Sequence, residues 1–174
     1  MKFVHALIGI AAVAALSGCA RGCAKTQDRM AEEMVEKAIE QAAKSSGEEL
    51  EGLDIKIADG EVKVKTSEGS FQLGENLTLP ENFPSAVPIY EGAEVVQFSH
   101  AEQGASIVLR SKDSRADVVS FYKTALGGGG WTTKATAELP SGHMLQYALG
   151  STNLSLFVAD NEGETMITLA LVNQ

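Results

Sequence analysis

Two histidines lie downstream of the first eighteen residues: His100, beside Ser99 and Glu102, and His143, after Ser141-Gly142. Imidazole beside a hydroxyl is the material of general-base catalysis, and imidazole with a carboxylate that of a metal site. A nucleophile and its base must share one side of the chain, whereas adjacent residues of a strand point to opposite faces. Neither neighbourhood holds a known motif, so both read as surface histidines in turns. The alternative is a hydrolase or metal-dependent enzyme centred on His100 or His143. A metal site joining both to Glu102 requires a fold that unites the two turns, which nothing in the spacing demands. No catalytic residue, metal or other cofactor is expected.

Gly127 to Gly130 invite a phosphate-loop reading, but such a loop leads from a strand into a helix N-terminus and ends in Lys-Ser/Thr. This run leads out of a helix-like stretch, where glycine serves as cap and turn. Tyr90, Tyr122, Trp131 and Tyr147 would suit a carbohydrate or peptide groove. With aromatics at only 6% of the chain, they are better used as the large pieces of a small core. Tyr90 and Trp131 remain the candidates for such a groove.

Cys19 carries the most specific chemistry. Lys2 is followed by an apolar run from Ala6 to Leu16, and then by Leu16-Ser17-Gly18-Cys19. A membrane-spanning helix takes about 20 apolar residues, so the run suits instead the h-region of an export signal. The tetrapeptide resembles the bacterial lipobox, in which small residues admit a signal peptidase to the bond before a diacylglycerol-linked cysteine. Cleavage between Gly18 and Cys19 would make Cys19 the lipidated mature N-terminus. Cys23 fits less well, because Arg21 stands where the pattern wants a small residue. With Cys19 acylated, Cys23 has no partner within the chain, and no disulfide framework is possible. Ala20 after the cysteine implies the outer membrane, facing the periplasm, if the source is Gram-negative. The net charge of -9 disfavours nucleic acid as a partner. The expected partners are the membrane, through the lipid, and an envelope protein or cell-wall polymer, with the oligomeric state open.

The elements behind the signal divide into a tether (19–26), a helix plus β-meander (27–75) and an α+β domain with a proline-rich arm (76–174). Gln27 to Ser46 lack Gly and Pro and place Met30-Met34-Ala38-Ala42 beside Ala31-Val35-Ile39-Ala43 as one apolar helical stripe. Asp54 to Ala58 and Glu61 to Lys65 alternate about Asp59-Gly60, a hairpin signal that sets Ile57 against Val62 and Ile55 against Val64. Ser70 to Leu73 read as the third strand, and the helix is expected to cover this meander. The same register sets Lys56 opposite Lys63 and near Lys65. This basic spot could meet anionic head groups or a polymer, although Asp54 and Glu61 make a solvated face the simpler reading.

Pro80, Pro84 and Pro88 exclude a helix, while Phe83, Val87, Ile89 and Tyr90 favour an arm docked on the domain that follows. Strands at 94–98 and 105–110 precede a helix from Ser114 to Leu126, with Ser114 as N-cap and Asp117 three residues on. Four further runs complete a ββαββββ order, an antiparallel sheet covered by one helix. The fold class expected is α+β.

The arm Pro80-Glu81-Asn82-Phe83-Pro84-Ser85-Ala86-Val87-Pro88-Ile89-Tyr90-Glu91-Gly92-Ala93, with Phe121-Tyr122 and Gly130-Trp131, resembles a group of uncharacterised bacterial envelope lipoproteins. They share a V-P-x-Y-P-G-A arm and an F-Y to G-W helix exit; Glu91 replaces the pattern's proline here. The resemblance covers about residues 76 to 172. It implies a fold and an envelope address, and no reaction. The sequence thus points to a lipid-anchored, non-enzymatic binding or assembly module.

Overall fold

The computed structural model describes Lys37, which is helical and exposed, and residues 54–58, 60–81 and 83–173. The signal segment, Gly18, Cys19 and the rest of the expected helix at 27–46 lie outside the described residues. The chain divides into two units, Met1–Ser67 and Glu68–Gln174.

In the first unit, β1 (Asp54–Ala58) and β2 (Glu61–Thr66) form an antiparallel hairpin. The pairing is Ile55 with Val64 and Ile57 with Val62, as the alternation predicts, and Val64 is buried.

The second unit contains β3 (Gly69–Leu73), β4 (Glu94–Ala101), β5 (Gly104–Ser111), α1 (Arg115–Gly128), β6 (Thr132–Leu139), β7 (Gly142–Leu149), β8 (Thr152–Asn161) and β9 (Glu164–Asn173). Its strands are ordered β3-β4-β5-β9-β8-β7-β6. Two local meanders therefore flank a central seam, the antiparallel pair β5 and β9, in which Ile107 meets Leu169 and Leu109 meets Ile167. All four side chains are fully buried.

The expected α+β class and its ββαββββ order do not hold. Strands make up 57% of the described residues and helix 13%, so the described part of the chain is mostly β. The second unit reads βββαββββ, because Gly69–Leu73 pairs along its whole length with β4. This strand falls in the second compact unit, which begins at Glu68. An alternating run shows which side chains share a face and carries no information on which strand will take its hydrogen bonds.

One face of this sheet presents Ile107, Leu109, Leu145, Leu154, Leu156, Val158, Ile167 and Leu169 in alternate positions, all at most 1% exposed. Helix α1 packs on β8 and sinks Val118, Val119, Tyr122 and Leu126 into this core. Its start is held twice. The Ser114 hydroxyl accepts from the Asp117 amide at 3.3 Å and donates to the Asp117 carboxylate at 2.6 Å, and Arg115 reaches Asp160 at 3.4 Å. Its exit uses the glycine run: the Gly129 amide donates to Ala125 and Leu126, and Gly130 takes a φ of +81°, a left-handed turn that glycine adopts without strain.

The proline arm lies on the same core. Leu77, Phe83 and Val87 are buried in it. Successive turns close from Phe83 to Pro80 and from Val87 to Pro84, each with an amide-to-carbonyl distance of 3.0 Å. The Trp131 indole N–H donates to the Ala86 carbonyl at 3.0 Å, and the Tyr90 hydroxyl donates to Asp113 at 2.8 Å.

The Tyr122 hydroxyl is buried without a hydrogen-bond partner; the main chain of Tyr90 is close, but outside normal bonding geometry. Burial holds this phenol well above its usual range, and the Tyr90 main chain offsets this only in part. Tyr147 is also raised by burial, with partial relief from Thr133. The folded state thus holds these protons more tightly than the unfolded chain. This stability is complete below about pH 10, the ordinary phenol value, and is lost as pH rises beyond it, by about 1.4 kcal/mol per pH unit for Tyr122. Tyr122→Phe is expected to remove that share of the alkaline loss. At pH 7 the variant should be as stable as the parent or up to about 1 kcal/mol more stable, since the lost hydroxyl made no bond. Urea unfolding at pH 7 and pH 11 measures both, and a marked loss at pH 7 would show that the hydroxyl is bonded.

Candidate functional site

The residues singled out from the sequence fall in separate places. On the first unit's hairpin, Lys56 stands opposite Lys63, and Asp54 opposite Lys65. Lys63 is paired with Glu61 at 2.7 Å and Lys56 with Asp54 at 3.7 Å. Exposed pairs of this kind contribute little stability, but they temper the positive field.

Tyr90 and Trp131 both belong to the clasp between arm and core. Trp131 is only 5% exposed, and the Tyr90 ring packs edge-on against Phe121 with centroids 5.0 Å apart. Trp131 therefore offers no open stacking face, while Tyr90 stays half-exposed.

The two histidines are far apart. His100 is near the end of β4, and His143 lies on β7, across β5, β9 and β8. Four strand spacings of roughly 4.8 Å separate them by about 19 Å across the sheet alone. The two turns are not united, and a metal site using both histidines with Glu102 is excluded by this geometry. His143 stands opposite Glu138, with Nε2 3.7 Å from its carboxylate, and its Nδ1 is buried without a partner.

His100 has a different setting. Its register runs through Ala105 on β5 to Leu171 on β9 and Leu154 on β8, which places it on the face covered by the arm and α1. There the sheet extends past the arm and leaves a recess of about 160 Å³. Phe83 and Pro84 of the arm form one wall, and Phe98, Ala105 and Leu171 line the apolar part. Ala101, Gly104 and three polar side chains, His100, Glu102 and Asn173, complete it.

Backbone pairing holds the rim. The Asn173 amide donates to the Gln103 carbonyl at 3.1 Å, tying the end of β9 to the β4–β5 turn, and Thr152 donates to the Asn173 side-chain oxygen at 3.0 Å. Gly104 lies so close to the Leu171 carbonyl that a β-carbon there would strike it. The Phe83 ring meets Phe98 edge-on, with centroids 6.5 Å apart.

The charges of this unit gather at the opposite end of the sheet. Arg110 pairs with Glu94 at 2.7 Å, Glu164 at 3.6 Å and Glu75 at 3.8 Å, and the hydrogen bond to Glu94 is the main reason its guanidinium is held above its usual value. Asp113 accepts from Tyr90, chiefly for which reason the Tyr90 phenol is raised. Around the recess, by contrast, Glu102 and His100 make no ion pair with any described residue. The lining holds an imidazole and a carboxylate, and no hydroxyl, thiol or amine. Among the described residues no group of three His, Cys, Asp or Glu side chains is placed to hold a metal ion.

Sequence reasoning reached His100 and Glu102 and missed the rest of the recess. Phe83 and Pro84 were marked only as an arm needing a surface, and Leu171 and Asn173 lie some seventy residues beyond His100. The one local signal was the turn Gln103-Gly104, where a residue without a β-carbon announces a close approach.

A single helix on an antiparallel sheet, crossed by an arm and open at one corner, is the class of domain these elements define. Residues 94–164, from the start of β4 to the start of β9, are similar to the START domain-like family. That stretch takes in α1 and leaves out the arm, β3 and most of β9, so Phe83, Pro84, Leu171 and Asn173 lie beyond it. No curated protein matches the chain.

Proposed function

We propose that this chain is a lipid-anchored cell-envelope protein that acts by binding, with the recess at the β4–β5 turn as its receiving site. The observation that carries the binding reading is the make-up of that recess: an apolar interior framed by three elements, a polar rim, and no nucleophilic side chain for the imidazole to activate. The similarity of residues 94–164 to the START domain-like family supports a ligand-binding module. Anchorage rests on Leu16-Ser17-Gly18-Cys19 and on the resemblance of the arm to envelope lipoproteins. In a Gram-negative cell, Ala20 would direct the protein to the outer membrane, facing the periplasm, where an envelope protein or cell-wall polymer is within reach.

Detergent-phase partitioning tests the anchorage. Cys19→Ser is expected to move the protein into the aqueous phase, and Cys23→Ser to leave it in the detergent phase. One acyl chain anchors only marginally, so stable attachment calls for a multiply acylated cysteine, visible as a mass increment on the N-terminal peptide. A Cys19→Ser protein still in the detergent phase would overturn the assignment.

A further inference from the structure

We propose that the recess takes a small amine whose apolar part is the size of one ring. The inference rests on the binding reading above and names the ligand class for that site. Size comes first: a cavity of about 150 Å³ accepts benzene, and this recess measures about 160 Å³. Lining comes second: the apolar groups of the wall are Phe83 and Pro84 from the arm and Phe98, Ala105 and Leu171 from the sheet.

Charge decides the head group. Glu102 is the only carboxylate in the lining, there is no lysine or arginine, and no described cation pairs with it. The Asn173 side-chain oxygen already accepts from Thr152, so the Glu102 carboxylate, the one charged acceptor of the lining, and the neutral form of the His100 imidazole are the acceptors with no partner among the described residues. An ammonium satisfies both, while an anion would face Glu102 with no compensating charge. The net charge of -9 adds a long-range attraction of the same sign.

Four probes separate ring from charge: benzylammonium, benzyl alcohol, benzoate and methylammonium, titrated into the full mature chain carrying Cys19→Ser and followed by amide chemical shifts in nuclear magnetic resonance. Benzylammonium is expected to shift the amides of His100, Glu102, Ala105 and Asn173, and to bind about fivefold more tightly than benzyl alcohol, the increment of one part-exposed ion pair. Benzoate and methylammonium should bind more weakly than either. Glu102→Gln, on an exposed turn where folding is not at stake, should bring benzylammonium down to the level of benzyl alcohol. If benzyl alcohol or benzoate binds as well as benzylammonium, the amine assignment is wrong and the binding site stands. If no probe moves these amides, the recess is not a receiving site for ring-sized ligands, and the reading beneath the proposal fails with it.

Discussion

Replacing Trp131 with alanine is expected to cost about 3 to 5 kcal/mol, the range for removing a buried aromatic and leaving its cavity. A domain has roughly 5 to 15 kcal/mol in total, so the variant should lose a large share of its stability. The indole is 5% exposed, follows directly on the glycine exit of α1, and bonds to Ala86 of the arm. Its loss therefore loosens helix exit and arm together. Trp131→Phe keeps most of the bulk and removes the bond; a single hydrogen bond contributes about 0.5 to 1.5 kcal/mol. Because Trp131 is the only tryptophan, unfolding is followed by circular dichroism in urea. An alanine variant as stable as the parent would put this ring at the surface and restore the groove reading of Tyr90 and Trp131.

Gly142→Ala should cost about 2 to 4 kcal/mol, for two reasons that act at once. Its φ of +152° is strained for any residue with a β-carbon, and that carbon would run into the Val158 carbonyl, with the Phe157 ring 3.1 Å away. Val158 belongs to β8, so relief requires β7 and β8 to part where His143 and Val158 pair. Gly127→Ala is the control. It lies within α1 with nothing within 4 Å of an added β-carbon, and should stabilise by about 0.5 to 1 kcal/mol through helix propensity. Thermal unfolding of the two variants should shift in opposite directions. Equal shifts would mean that the β7–β8 pair tolerates displacement at Gly142.

What the sequence showed of this fold was its local part. The hairpin of β1 and β2 and the Ser114 cap each depend on residues within a few positions of one another and stand where the pattern put them, while α1 runs on through Gly127 and Gly128 before the glycine run ends it. That Gly69–Leu73 would also pair with β4 was not legible, because the alternation of Phe71 and Leu73 says nothing of a strand some twenty residues further on. Strand lengths were underestimated at the polar ends, where Ser99, His100 and Ala101 continue β4 past the last apolar residue. The recess was illegible for a stronger reason. Its walls come from residues 83–84, 98–105 and 171–173, and the only thing that unites them is the meeting of β5 with β9.

That meeting also sets the order in which the molecule can be made. β5 ends at Ser111 and β9 begins at Glu164, so a chain emerging from its N-terminus completes β3, β4 and β5 long before the partner of β5 exists. Closing such a loop costs entropy that grows with the logarithm of its length, and long-range pairing is the slow step of strand-rich folding. In the interval Ile107, Val108 and Leu109 form an apolar strand with an open edge, a template for any other extended chain. The last ten residues of β9 supply both the missing partner and the far wall of the recess. A nascent chain therefore needs shielding from its neighbours until β9 arrives, and only then acquires the recess.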